Sequence, residues 1–170
     1  MSVLRALGLT ALILLAVVLQ VAVFSAVSFE GVVPNLALLV VVAAALVRGP
    51  NFAAVVGFLG GLAIDLAPPA DHIAGRWALA LVVVGYLAGR VRHDAGTSAV
   101  AALVTVAACS FVGTSVFALS GMLLGDPAIP VGTALRVIPI AVLYDVLVTP
   151  FVLPVLMRLF RSMQPRQVAY

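Results

Sequence analysis

Charge-free runs constrain this chain more than any other feature: residues 6–29, 31–47, 49–64, 77–89, 95–125 and 137–144 hold no Asp, Glu, Lys or Arg. A helix needs roughly 20 mostly apolar residues to cross the hydrocarbon core of a bilayer. Several of the runs reach that length or approach it, and flanking neutral or snorkelling residues complete the shorter ones. Composition agrees, since 65% of the 170 residues are apolar and only 9% charged. A soluble domain carries about a quarter charged residues, so most of these side chains must face lipid or one another.

The pattern predicts an all-α membrane protein, a bundle of about six transmembrane helices over about 7–27, 31–47, 52–67, 76–91, 98–122 and 137–158. The strict alternation of apolar and polar residues that marks a membrane barrel is absent. Residues 1–170 read as a single polytopic membrane domain, with polar stretches only at 65–76, 122–136 and 159–170. The first span has an early Arg5 and small residues at Ser25 and Ala26, as a cleaved signal would. Its apolar run exceeds the usual 7–15 residues of a signal h-region, roughly, so a retained helix is expected. Cleavage would leave five spans.

Arginine placement predicts orientation through the positive-inside rule. With the amino terminus in the cytoplasm, the inner loops hold Arg5, Arg48, Arg90, Arg92, Arg158, Arg161 and Arg166, and the outer loops only Arg76 and Arg136. Glu30, Asp65, Asp71 and Asp126 fall outside and Asp94 inside. Both termini are then cytoplasmic, which requires an even number of spans. The expected location is the bacterial cell (inner) membrane, multi-pass, with the basic balance serving as anchorage beside anionic lipid. The scatter of the arginines over several loops and both sides argues against nucleic acid as a partner. Cys109 lies inside a span, so no disulfide framework exists.

Asp145 is the most unusual residue, near the middle of the sixth span in Tyr144-Asp145-Val146-Leu147-Val148-Thr149-Pro150. A carboxylate at a helix centre costs roughly 2.5–3.5 kcal/mol on insertion scales. It should face the bundle interior, either protonated or hydrogen-bonded, as a proton, ion or substrate site or as a lock between helices. Pro150 and Pro154 free backbone carbonyls nearby. Asp65 ends the third span after the Gly57/Gly61 pair, with Gly60 beside it, and Pro68-Pro69 stops that helix. Gly85 and Gly89 form a second small-residue pair in the fourth span, and small residues let helix backbones approach closely. Pro34-Asn35 opens the second span, with Pro34 suited to a first helical turn and Asn35 available to bond a neighbouring helix. Trp77 and Tyr86 suit interfacial anchoring. His72 and His93 read as solvated loop residues. Asp65 and Asp145 are each followed by proline, loosely as in an inverted repeat.

These residues do not assemble into an enzyme. No His inside a span is available to activate a serine, and no H-E-x-x-H zinc motif occurs. An aspartic intramembrane protease needs two carboxylates at one site, whereas Asp65 is expected near the outer surface and Asp145 near mid-span. Leu123-Leu124-Gly125-Asp126 lacks the first glycine of G-x-G-D. No Gly-rich phosphate loop or Cys/His cluster appears, so neither cofactor nor metal is expected.

Taken in order, these motifs resemble the rod shape-determining protein MreD family. The match lies in Pro34-Asn35 and its aliphatic run, Gly57-Phe58 through Gly60-Gly61 to Asp65-Leu66, Gly75 and Ala78-Leu79 into Gly85-Tyr86-Leu87, and Tyr144-Asp145 with Pro150 before a basic tail. Asn35 stands where an Asp is common in that family. The resemblance implies a non-enzymatic scaffold acting with an MreC-like single-span membrane protein, in the complex that links MreB filaments to cell-wall synthases and peptidoglycan synthesis. At least one glycine surface (57–61, Gly85/Gly89, or Gly113/Ser115) is expected to dock a partner's transmembrane helix. The family also looks like the substrate-binding components of energy-coupling-factor transporters, so the alternative is a small-molecule-binding subunit of such a transporter. That role would want polar and aromatic groups converging near the outer face.

Overall fold

A computed structural model describes residues 3–68, 72–95, 98–126 and 131–163. Pro69, Asp71 and Arg166 lie outside the described residues, as do parts of the 122–136 loop and of the basic tail. The elements are α1 (Val3–Ala22), a 3-10 turn (Phe24–Val27), α2 (Leu36–Arg48), α3 (Pro50–Leu66), α4 (Arg76–Arg90), a single turn α5 (Arg92–Ala95), α6 (Ala99–Leu123) and α7 (Val131–Ser162). The chain is all-α, and the only extended pairing among the described residues is the isolated bridge between Phe29 and Val32. By length and composition α1, α6 and α7 suffice to cross a membrane, and α2 and α3 are shorter apolar helices.

α2 is the axis of the bundle. Every residue from Leu36 to Ala45 is buried, and the helix packs against each of the other five long helices. A helix that is apolar all round suits either a protein core or lipid, and here its neighbours cover it on every side. Its 13 residues span only about 20 Å at 1.5 Å per residue, less than the roughly 30 Å of a hydrocarbon core. The helix therefore begins inside the bundle. The span expected from residue 31 is corrected here: Pro34 precedes the helix instead of forming its first turn, and Asn35 is the N-cap. The Asn35 side chain accepts from the Leu38 N–H at 2.9 Å, so it caps its own helix and does not reach to a neighbour. Ahead of it, a tight turn at Glu30-Gly31, both at positive φ, bonds Phe29 to Val32 in both directions and sends the chain inward.

Gly49 alone separates α2 from α3. Its φ of 87° and ψ of −178° lie in a region that only glycine enters readily, and Pro50 then opens α3 at a position that needs no N–H. α3 and α4 pack antiparallel with their glycines facing each other's backbone. A Cβ on Gly57 would overlap the Leu81 carbonyl, one on Gly61 the Ala78 backbone, one on Gly85 the Ala53 carbonyl and one on Gly89 the backbone of Pro50. Gly113 similarly admits Val84 and Leu38 against α6. Gly57, Gly61, Gly85, Gly89 and Gly113 are thus taken up by the chain's own helices. Gly60 has nothing near its absent Cβ.

The outer faces are apolar. Leu9, Ile13, Ala16 and Val17 of α1 are buried, while Leu7, Leu14, Leu15 and Val18 are exposed. Val100, Val104, Phe111 and Leu119 on α6, and Leu143, Leu147, Phe151 and Val155 on α7, form further exposed apolar faces. Surfaces of this extent suit lipid and not water. Arg48, Arg90 and Arg161 sit in the last turns of α2, α4 and α7, giving the bundle an arginine-rich end opposite the α2 N-terminus.

Gly61→Leu and Gly89→Leu are expected to separate α3 from α4 and to lower stability by at least the 1–3 kcal/mol typical of overpacking, roughly. Gly60→Ala should melt within a degree or two of the parent, roughly, since nothing stands against the added methyl and substitutions free of such clashes stay near neutral. Thermal unfolding in mild detergent checks both.

Candidate functional site

A helix that starts inside a bundle leaves its first N–H groups without water, and each must find an acceptor. Three side chains supply them at the head of α2. Asp145 of α7 accepts the Asn35 backbone N–H through Oδ1 at 2.7 Å. Gln20 of α1 accepts from Ala37 N–H at 3.3 Å, and Asn35 itself accepts from Leu38. Asp145 Oδ2 accepts the Ser110 hydroxyl of α6 at 2.6 Å. One carboxylate thereby joins α7, α6 and the N-terminus of α2, whose dipole favours negative charge. The network extends by one hydroxyl in each helix. Thr114 donates to the Ser110 carbonyl, and Thr149 donates to the Asp145 carbonyl at 2.5 Å.

Asp65 repeats the device at α4. Its Oδ1 accepts from Trp77 N–H at 3.1 Å and lies 3.0 Å from His72 Nε2. Its Oδ2 accepts from Gly75 N–H at 2.8 Å and Ala78 N–H at 3.1 Å. Asp65, in the last turn of α3, is 1% exposed, and His72 is a bonded, half-buried partner and not a solvated loop side chain. The two aspartates bind separate donor sets.

Beside α4's start, Arg76 is 2% exposed. It donates to Asp126 Oδ2 at 2.5 Å and to the Phe117 carbonyl at 2.7 Å, with its guanidinium 3.9 Å from the Phe117 ring centre. Gly121 leaves the space this guanidinium occupies. Trp77 stacks on the same ring at 4.5 Å.

Where α2 stops short, a cavity of about 410 Å³ remains. Its buried lining includes Gln20, Asn35, Leu38, Thr114 and Asp145, and its exposed rim includes Glu30, Gly31 and Pro68. Trp77, Phe117 and His72 complete the wall. The volume lies within the range of small-molecule pockets, roughly 300–1,000 Å³. Among the described residues no three of His, Cys, Asp and Glu gather as a metal site requires.

Of the residues singled out in the sequence, Asn35 and Asp145 meet at the cavity floor. Pro34 is buried just before them. Asp65 lies in its own cap, Gly57, Gly61, Gly85 and Gly89 lie between α3 and α4, and Tyr86 is exposed on α4. Pro150 is exposed beside Thr149. Ser110, Gln20, Thr114, Phe117 and Arg76 were not foreseen. Gln20, the only amide in the first charge-free run, carried a readable signal; Ser110 and Thr114 are too common in apolar helices to stand out.

The donor sets predict opposite responses to an amide. Ser110 can rotate to accept, so Asp145→Asn should keep both contacts and most of the stability. At Asp65 each oxygen faces a backbone N–H, so Asp65→Asn must set two donors together. It should cost about 1–3 kcal/mol, the penalty for a buried unsatisfied group. Asp145→Ala should cost a similar amount. Melting temperatures of the three variants in one detergent check the order.

The profile of the family described as rod shape-determining protein MreD matches residues 1–163. No curated protein and no solved structure matches the chain. A match over nearly the whole chain, on a bundle of apolar helices, makes this protein a member of the MreD family, with a role in determining rod shape.

Proposed function

We propose that this MreD-family protein is a non-enzymatic scaffold in the bacterial inner membrane, which holds an MreC-like single-span protein and supports peptidoglycan synthesis during cell elongation. The observation that supports this most directly is how its two best-buried carboxylates are used. Asp65 and Asp145 each accept backbone N–H groups at a helix start, which is the work of a fastener. Both oxygens of each are already engaged by the chain's own donors.

The arginine-rich end faces the cytoplasm by the positive-inside rule, with both termini on that side and the cavity opening outward. The partner's helix meets outward-facing side chains, because the glycine faces are filled from within. MreB and the cell-wall synthases join through the complex.

The cavity favours a second reading, a small-molecule-binding subunit of an energy-coupling-factor type transporter. Its polar floor at Asp145, Gln20 and Asn35 and its aromatic wall at Trp77 and Phe117 are the elements a ligand site combines.

Extraction of a carboxyl-terminally tagged protein from its native membrane in mild detergent separates the two. The scaffold reading expects an MreC-like single-span protein to co-purify in near-stoichiometric amount. Recovery of ATPase subunits, or of a retained small molecule without such a partner, would favour the transporter subunit instead.

A further inference from the structure

At the end opposite the cavity, α6 and α7 do not close completely. A groove of about 370 Å³ runs between the first turns of α6 and the last turns of α7. Its walls are apolar, formed among others by Ala102 and Leu103 on one side and Leu153 and Met157 on the other. Its mouth is cationic. Arg158 and Arg161 both line the groove and both are exposed. Among the described residues neither has a carboxylate partner.

An apolar trough with two arginines at one end has the shape and polarity of an anionic phospholipid, one chain in the trough and the phosphate at the mouth. We infer that this groove binds one anionic phospholipid of the surrounding bilayer, its headgroup phosphate held by Arg158 and Arg161. Arginine suits the task because its planar guanidinium pairs two N–H groups with phosphate oxygens. Basic pockets between transmembrane helices at the cytoplasmic side bind such headgroups in general. α7 also has the length required. Its 32 residues extend about 48 Å, long enough for its last turn to stand at headgroup level with the groove floor at Leu153 at acyl-chain depth. The inference rests on the membrane placement of the bundle and is independent of any partner protein.

The test uses the purified full chain, stripped of lipid in detergent and offered equal amounts of phosphatidylglycerol and phosphatidylethanolamine with identical acyl chains. Native mass spectrometry counts what stays bound. One phosphatidylglycerol should be retained in clear preference. Arg158→Gln with Arg161→Gln should reduce that retention by about fivefold per charge, or roughly twenty-five-fold together. Arg48→Gln with Arg90→Gln removes the same charge from the same end and should leave it nearly unchanged. Ala99→Trp, at an exposed position on the groove's rim, should displace the lipid with both arginines intact. Equal retention of the two lipids by the parent protein would overturn the inference. So would an equal loss in the two double variants, which signals a diffuse field, or full retention by Ala99→Trp.

Discussion

The N-terminus of α2, set deep inside the bundle, is the constraint from which the rest of the architecture follows. Backbone N–H groups away from water need protein acceptors, and here those of Asn35 and Ala37 are matched from two other helices. Asp145 lies 14 residues along α7 from Val131, which is about 21 Å at helical rise. α2 starts at that depth because Pro34 withholds an N–H and Asn35 caps the first turn. A carboxylate in the middle of a membrane helix is costly. It persists in this bundle as the acceptor that lets a central helix begin at mid-depth.

Starting a helix there has a spatial consequence. The turns that α2 lacks would have occupied the space now left as the cavity. The walls of that space belong to elements fixed for other reasons: α4 through the Asp65 cap, and α6 through Arg76, which ties α4 to Phe117 and Asp126. The cavity is thus framed by three polar fastenings, each joining a helix start to a neighbouring element.

The glycine pairs work differently. Apolar side chains gain nothing by leaving lipid for protein, so association in a bilayer depends on close van der Waals contact and occasional polar bonds. Gly57, Gly61, Gly85 and Gly89 provide the first for α3 and α4, and the aspartates provide the second. With these surfaces committed within the subunit, the outward apolar faces and the two openings at opposite ends are what remains uncovered. One opening is floored by a carboxylate and the other is rimmed by arginines, so the two ends of the bundle present different chemistry.

Several features were legible without coordinates. The charge-free runs alone imply a helical membrane bundle, because no other secondary structure made from such segments satisfies its own backbone in lipid. Asp145 was legible as a buried polar group and Pro68 as a break, because a carboxylate in a span and a proline each carry a cost that must have a local reason. The partners of those residues were not legible. In a soluble helix the polar face reveals which side is buried, but in a bilayer the core-facing and lipid-facing positions are both apolar. α6, buried at Val106 and Cys109 and exposed at Val104 and Phe111, shows no contrast in its sequence that would separate the two faces. That Asp145 meets Asn35 across 110 positions, that α3 and α4 take up each other's glycines, and that α2 stops short of the surface were decided only when the helices packed. Contact in the bundle depends on which face each helix turns inward, and the bilayer removes the signal that would have announced it.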